Sequence, residues 1–233
     1  MFGLFGPKSR DLLKTLSEDN FENDQFRFGF AKFITIDGVK IWAQRLSYVG
    51  ELGYELYVDL KDTKKIYELL IEKGKDFNLS NCGMHAMDIM RMESGFLHWG
   101  HDISPEENQF QAGLSFTISS KKEVDFIGKQ ALEKIKQDKV KTRFSMFTLK
   151  ESEPGKPLLL HDEPIYIENK IIGRSTSGNY SFNFKKNLVF GYINNDFSNE
   201  ELQNKNLFIE VEKKKYPLEI INKPLKQTDF KNI

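Results

Sequence analysis

The apolar positions of this chain change their period several times, and each change marks an element. Phe2-Gly-Leu-Phe-Gly6 reads as a short buried strand, and Leu12, Leu13 and Leu16 follow Gly6-Pro7 at helical spacing, which predicts an amphipathic helix over Pro7 to Leu16. Phe28 to Ile36 and Val39 to Leu46 carry β-forming residues on either side of Asp37-Gly38, the signal of a two-residue hairpin loop. The stretch SYVGELGYELYV, residues 47–58, comes next as a glycine turn and a strand. Lys61 to Lys75 sets Ile66, Tyr67, Leu69, Leu70 and Ile71 among charged residues, so a helix with one buried stripe is expected there, and a second over Met84 to Met92. This order predicts an antiparallel sheet covered on one face by helices, a layer that ends near Gly100.

Residues 101–137 read as a connecting region in which Asp125 leads into a helix built on Ala131, Leu132 and Ile135. From Arg143 onward the texture is one of short β-runs: Phe144–Leu149, Pro164–Ile167, Lys170–Gly173, Leu188–Ile193, Leu207–Glu212 and Pro217–Ile221. Glu168-Asn169 and the glycine-containing segments are expected to turn between them, giving a compact all-β barrel. The fold class predicted is therefore α+β, with a sheet-and-helix domain over 1–137 and a small β-barrel domain over 138–233. The first strand begins without a preceding partner, so a sheet edge is left for a partner chain or a second copy, as in a homodimer, to cover.

Composition narrows the classes of ligand. Thirty-four basic and 34 acidic side chains cancel, so no net field favours nucleic acid or an anionic membrane, and a neutral or zwitterionic small molecule fits better. No apolar run approaches the roughly 20 residues of a membrane span, and the N-terminal residues lack the basic start and apolar middle of a signal peptide, so a soluble protein is expected. Cys82 is the single cysteine and cannot form an internal disulfide, which suits a reducing compartment and makes the cytoplasm the expected location.

Four groups of residues invite chemical readings. His98-Trp-Gly-His101-Asp102 could begin a metal site, but a metal needs three or four convergent ligands and His85 and His161 show no zinc-like spacing. A turn whose imidazoles satisfy buried backbone groups is expected instead, with no metal. Cys82 has no partnered base in the sequence and is expected to be a small buried hydrophobe. The lysines from Lys129 to Lys141 read as a solvated helix face and its exit. Residues 47–58 admit two readings. In one, Tyr54, Leu56 and Val58 face a core while Glu55 and Tyr57 face water. In the other, a carboxylate accepts paired hydrogen bonds from the amide and amino edge of a pterin or guanine, aromatics supply a stacking surface, and the glycines let the backbone approach a flat ring.

A resemblance bears on that choice. SYVGELGYELYV, AMDIMRMESG over 86–95, HWGHD over 98–102, DFIGKQAL over 125–132 and GRSTSGNY over 173–180 resemble, in the same order, the folate-binding region of dimethylglycine and sarcosine dehydrogenases. That region is similar to the glycine cleavage T-protein, an aminomethyltransferase. In the family a flavin domain oxidises an N-methyl group to an iminium, and the folate region captures the one-carbon unit on tetrahydrofolate. The resemblance implies tetrahydrofolate as cofactor, Glu55 as the acid that holds the pterin, Tyr48 beside it, and Phe96 as a wall of the folate channel. Glu51, Arg91 and Trp99 match block positions and are expected to shape the site. Met87 stands where the T-protein proper carries an arginine, which points to the dimethylglycine dehydrogenase branch and an N-methylamine donor.

The family's folate region normally begins well upstream, with a segment whose acidic residue assists proton transfer, and that residue has no counterpart here. The catalytic residue is therefore unassigned. The glycine fingerprint of the dehydrogenase domain is absent too, so FAD is expected only on a separate dehydrogenase partner. The resemblance thus implies the folate-binding part of an aminomethyltransferase that needs a flavin dehydrogenase subunit or an N-terminal half. A non-catalytic folate-binding or regulatory module, or a remnant that keeps only the fold, remains the alternative.

Overall fold

The computed structural model describes residues 1–119, 124–138, 140–227 and 229–231. Two compact units are present: Met1–Ser94 together with Lys226–Ile233, and Gly95–Leu225.

In the first unit, β1 (Phe2–Phe5), β2 (Ala31–Ile36), β3 (Val39–Gln44) and β4 (Gly53–Tyr57) form an antiparallel sheet in the order β1-β4-β3-β2. The helices are α1 (Ser9–Leu16), α2 (Thr63–Gly74) and α3 (Met84–Glu93). Alternation divides the sheet into two faces. Ile34, Ile36, Ile41, Ala43, Tyr54 and Leu56 turn inward and join Leu12 and Leu13 of α1 and Ile66 and Leu70 of α2 in one buried cluster. Each such aliphatic side chain contributes on the order of 1.5–3 kcal/mol by leaving water, which is what seats the helices on the sheet. Phe33 and Trp42 point the other way, remain exposed, and meet edge to face at 4.8 Å. Asp37 and Gly38 both take positive φ, 47° and 76°, so the hairpin turns where the Asp-Gly pair predicts. The α2 helix is shorter than the expected Lys61 to Lys75, because its flanking residues Leu60–Asp62 and Lys75–Phe77 tighten into 3-10 turns.

The second unit contains α4 (Lys129–Gln137), α5 (Asn199–Gln203) and a closed antiparallel barrel. Its strands are β5 (Thr142–Leu149), β6 (Pro164–Ile167), β7 (Lys170–Ser181), β8 (Lys186–Asn194), β9 (Leu207–Val211) and β10 (Lys214–Ile221), in the order β10-β5-β8-β7-β6-β9. Phe147, Ile165, Val189, Ile193 and Ile209 fill the interior. The expected strand over Lys170–Gly173 is corrected here: β7 runs on through Arg174 to Ser181, with a register shift between Ser175 and Ser177, and this segment pairs with β8 where a turn is expected. Its Ser175, Thr176 and Ser177 side chains are buried because their hydroxyls find acceptors on carboxylates, as described below. Among the described residues no helix is long and apolar enough to cross a membrane.

Candidate functional site

The loop between β3 and β4 is bound at almost every residue. Ser47 accepts the Glu51 amide at 3.1 Å, and the Val49 carbonyl accepts the Ser94 hydroxyl at 3.4 Å and the Lys226 ammonium at 3.4 Å. Lys226 also pairs with the Glu51 carboxylate. The Leu52 carbonyl accepts the Gly6 amide at 2.8 Å and the Ser9 hydroxyl at 3.3 Å. Gly50 adopts φ 66°, and a Cβ there would stand 2.0 Å from the Ser94 hydroxyl, so both conformation and space require glycine.

This loop delivers Tyr48 and, three residues past Leu52, Glu55 to one cavity of about 520 Å³. The cavity follows the open edge of β1, and its wall is largely apolar, with Tyr67, Leu70, Ile71, Met87 and Met90 among its residues. Among the described residues Glu55 is the one carboxylate in that wall. Its register partner on β1 is Gly3, whose missing side chain makes room for the Phe5 ring of the same strand; a Cβ at Gly3 would meet that ring at 2.5 Å. One Glu55 oxygen accepts the Tyr57 hydroxyl at 2.8 Å. That bond raises the Tyr57 phenol above its ordinary range, with burial adding a smaller push in the same direction. A carboxylate has about four lone-pair sites, so the Tyr57 bond leaves capacity for two further N–H donors, and the donor edge of a flat heterocycle suits it.

The sequence-derived site residues are distributed as follows. Tyr48 and Glu55 share the cavity. Glu51 is turned to Lys226 and braces the loop. Arg91 is 1% exposed in α3, where its Nε and a terminal nitrogen donate to one Asp88 oxygen at 2.9 and 2.7 Å, a bond that fixes the helix end next to Ser94. Phe96, half-buried, and Trp99, 65% exposed, belong to the second unit.

One expectation is corrected. Cys82 is exposed, not a buried hydrophobe, and contributes to the cavity wall, because the segment before α3 runs over the surface there. In the His98–Asp102 turn a carboxylate satisfies buried backbone: Asp102, 1% exposed, accepts the His98 amide at 2.9 Å and the hydroxyls of Ser177, at 2.8 Å, and Thr176. Three donors make the burial of that charge tolerable. Ser175 of β7 likewise donates to Glu163. The Tyr192 phenol lies buried in the same unit and is pushed up, first by burial and then by Glu107 and Asp102. Among the described residues no group of three or more His, Cys, Asp or Glu side chains is placed to hold a metal ion.

A helix-covered antiparallel sheet followed by a closed six-stranded barrel is the architecture of aminomethyltransferase T proteins. The solved structure of the glycine cleavage system aminomethyltransferase T from Bartonella henselae matches with a TM-score of 0.79 and 20% identity over 95% of this chain and 58% of that one. Residues 1–122 match the family profile of the GCVT N-terminal domain, and residues 143–226 match the glycine cleavage T-protein C-terminal barrel domain. The chain belongs to the glycine cleavage T-protein family. It is 33% identical over 229 residues to the mitochondrial dimethylglycine dehydrogenase of Homo sapiens, covering 98% of this chain and 26% of that protein. It is also 33% identical over 228 residues to the aminomethyltransferase of Alkaliphilus metalliredigens, covering 98% of this chain and 60% of that one. The chain thus spans about a quarter of the dehydrogenase and under two thirds of the aminomethyltransferase.

Proposed function

We propose that this chain is the tetrahydrofolate-binding part of a folate-dependent one-carbon transferase of the dimethylglycine and sarcosine dehydrogenase type, which captures a one-carbon unit from an N-methylamine as methylenetetrahydrofolate. The observation that carries the reading is Glu55: a carboxylate with spare acceptor capacity in an apolar cavity. The residues fit the group. Glu55 would accept the ring amide and amino donors of the pterin, and Tyr48 would offer an aromatic face. Tetrahydrofolate supplies the nucleophilic amine that takes up the one-carbon unit. Leu70, Ile71, Met87 and Met90 keep water from the bound ring, which matters because an iminium or formaldehyde equivalent hydrolyses or escapes if the site is wet. The proton-transfer group and the flavin then belong to a partner polypeptide, a dehydrogenase carrying FAD or an N-terminal half.

Calorimetric titration of the chain with 5-formyltetrahydrofolate tests this. Binding is expected, weakened about tenfold or more by Glu55→Gln, the scale of one charge-assisted hydrogen bond. Bound ligand should also shield Cys82, in the same wall, from alkylation. Absence of binding, or equal affinity in the variant, overturns the reading. A second reading, a non-catalytic folate-binding or regulatory module, is favoured by one observation: among the described residues the wall holds a single carboxylate, and the pterin takes it. Folate-dependent capture of the one-carbon unit when a dimethylglycine-oxidising partner is added supports the transferase; binding without turnover supports the module.

A further inference from the structure

We infer that Lys226 is a positioning residue for the proposed pterin clamp, acting through Glu51 and the Val49 carbonyl from a segment that returns to the first unit after the barrel. The inference rests on the folate reading and adds to it the device that sets the clamp. Tyr48 and Glu55 occupy the same cavity only if the residues between them keep one path. That path contains a left-handed Gly50, and glycine by itself imposes no single conformation.

The loop is held from three separate stretches of sequence. Gly6 and Ser9 hold Leu52 at one end, and Ser94 holds Val49 near the other. At the middle Lys226 reaches the side chain of Glu51, while its Nζ also donates to the Val49 carbonyl at 3.4 Å. The backbone of Lys226 is itself fixed, its amide donating to the Glu93 carbonyl at 2.8 Å. The pair is well shielded, with the lysine side chain 11% exposed and the glutamate 25%. An ion pair so placed is costly to break from one side, since the remaining charge is left largely desolvated. Further along, the Lys231 carbonyl accepts from the buried Arg45 guanidinium at 3.2 Å and Phe230 packs on Phe28 at 5.5 Å, so the returning segment is anchored beyond Lys226 as well. Loss of the ammonium therefore unties the Glu51 side chain and removes one of the two donors to the Val49 carbonyl without releasing the segment.

The test is a set of titrations with 5-formyltetrahydrofolate on the full chain and its Lys226→Met, Lys226→Arg, Glu51→Gln and Lys226→Met/Glu51→Gln variants, with Glu55→Gln as reference and a thermal melt of each. Lys226→Met and Glu51→Gln are each expected to weaken binding about tenfold. The double variant should be no worse than the worse single one, as two residues sharing one interaction require, and Lys226→Arg should restore most of the affinity. A role in general stability would lower the melting midpoint without that coupling or rescue. If Glu55→Gln loses affinity while Lys226→Met and Glu51→Gln bind as the parent does, the positioning role is overturned and the folate reading stands. If Glu55→Gln binds as the parent does, or the parent does not bind, both fall. Should Lys226→Met fail to fold, Glu51→Gln reports the same contact from the loop side, and its parent-like affinity overturns the inference.

Discussion

At the scale of single residues, the Glu55–Tyr57 bond is the contact most open to titration. Tyr57 is 40% exposed, and its phenol is raised chiefly by the hydrogen bond to Glu55, then by burial and by the Glu55 charge. A phenol held protonated in the folded state stabilises that state below the ordinary tyrosine range, and the contribution is lost as pH rises through the raised value. Glu55→Ala should therefore let Tyr57 ionise at lower pH than in the parent, read as phenolate absorbance against a Tyr57→Phe blank. Unchanged titration would mean that the bond does not form in solution. The orientation with Glu55 and Tyr57 turned outward and Tyr54 and Leu56 inward does not exclude the proposed ligand-holding role, because the outward face of β4 at Glu55 is the face that meets the cavity.

At the scale of elements, the β3–β4 loop shows how much a local sequence can specify and where it stops. Two glycines between tyrosines announce a turn, and Gly50 must be glycine because φ 66° and the Ser94 hydroxyl both exclude a side chain. Gly50→Ala is expected to cost roughly 2 kcal/mol or more from left-handed strain and overlap together, visible as a lower denaturation midpoint; a cost near zero would show that the loop can move to another path. Hairpin and helices are legible because their periods are local: Asp37-Gly38 turns and Ile66 and Leu70 are buried as the spacing predicts. Strand β7 is not, since Arg174 to Ser181 is polar and reads as turn. The acceptors Asp102 and Glu163, outside the strand, make the hydroxyls of Ser175, Thr176 and Ser177 fit for burial. The short α5 had a readable start, the Ser198–Glu201 capping box, but five residues fall below what periodicity detects. Lys226 carried no local signal at all: a single lysine near Pro224 becomes informative only when the chain is seen to come back to Glu51.

At the scale of the whole molecule, two features of the first unit bear on association. β1 pairs with β4 on one side and forms an edge of the sheet, and Phe33, Trp42 and Tyr57 are exposed on the face away from the helices. Open edges and exposed aromatic faces are the surfaces through which sheets join other chains. Sedimentation velocity over a range of concentrations should show self-association, reduced by Phe33→Glu; a monodisperse monomer at all concentrations would count against it. The first unit also contains residues from both sides of the barrel, Met1–Ser94 and Lys226–Ile233. On a ribosome that adds roughly 5–20 residues each second, the sheet and its helices emerge first, yet the lysine that braces their loop emerges only after every barrel strand. During translation the nascent sheet would wait with Glu51 unneutralised, and competence for ligand would arrive in one late step, once the returning segment clears the exit tunnel.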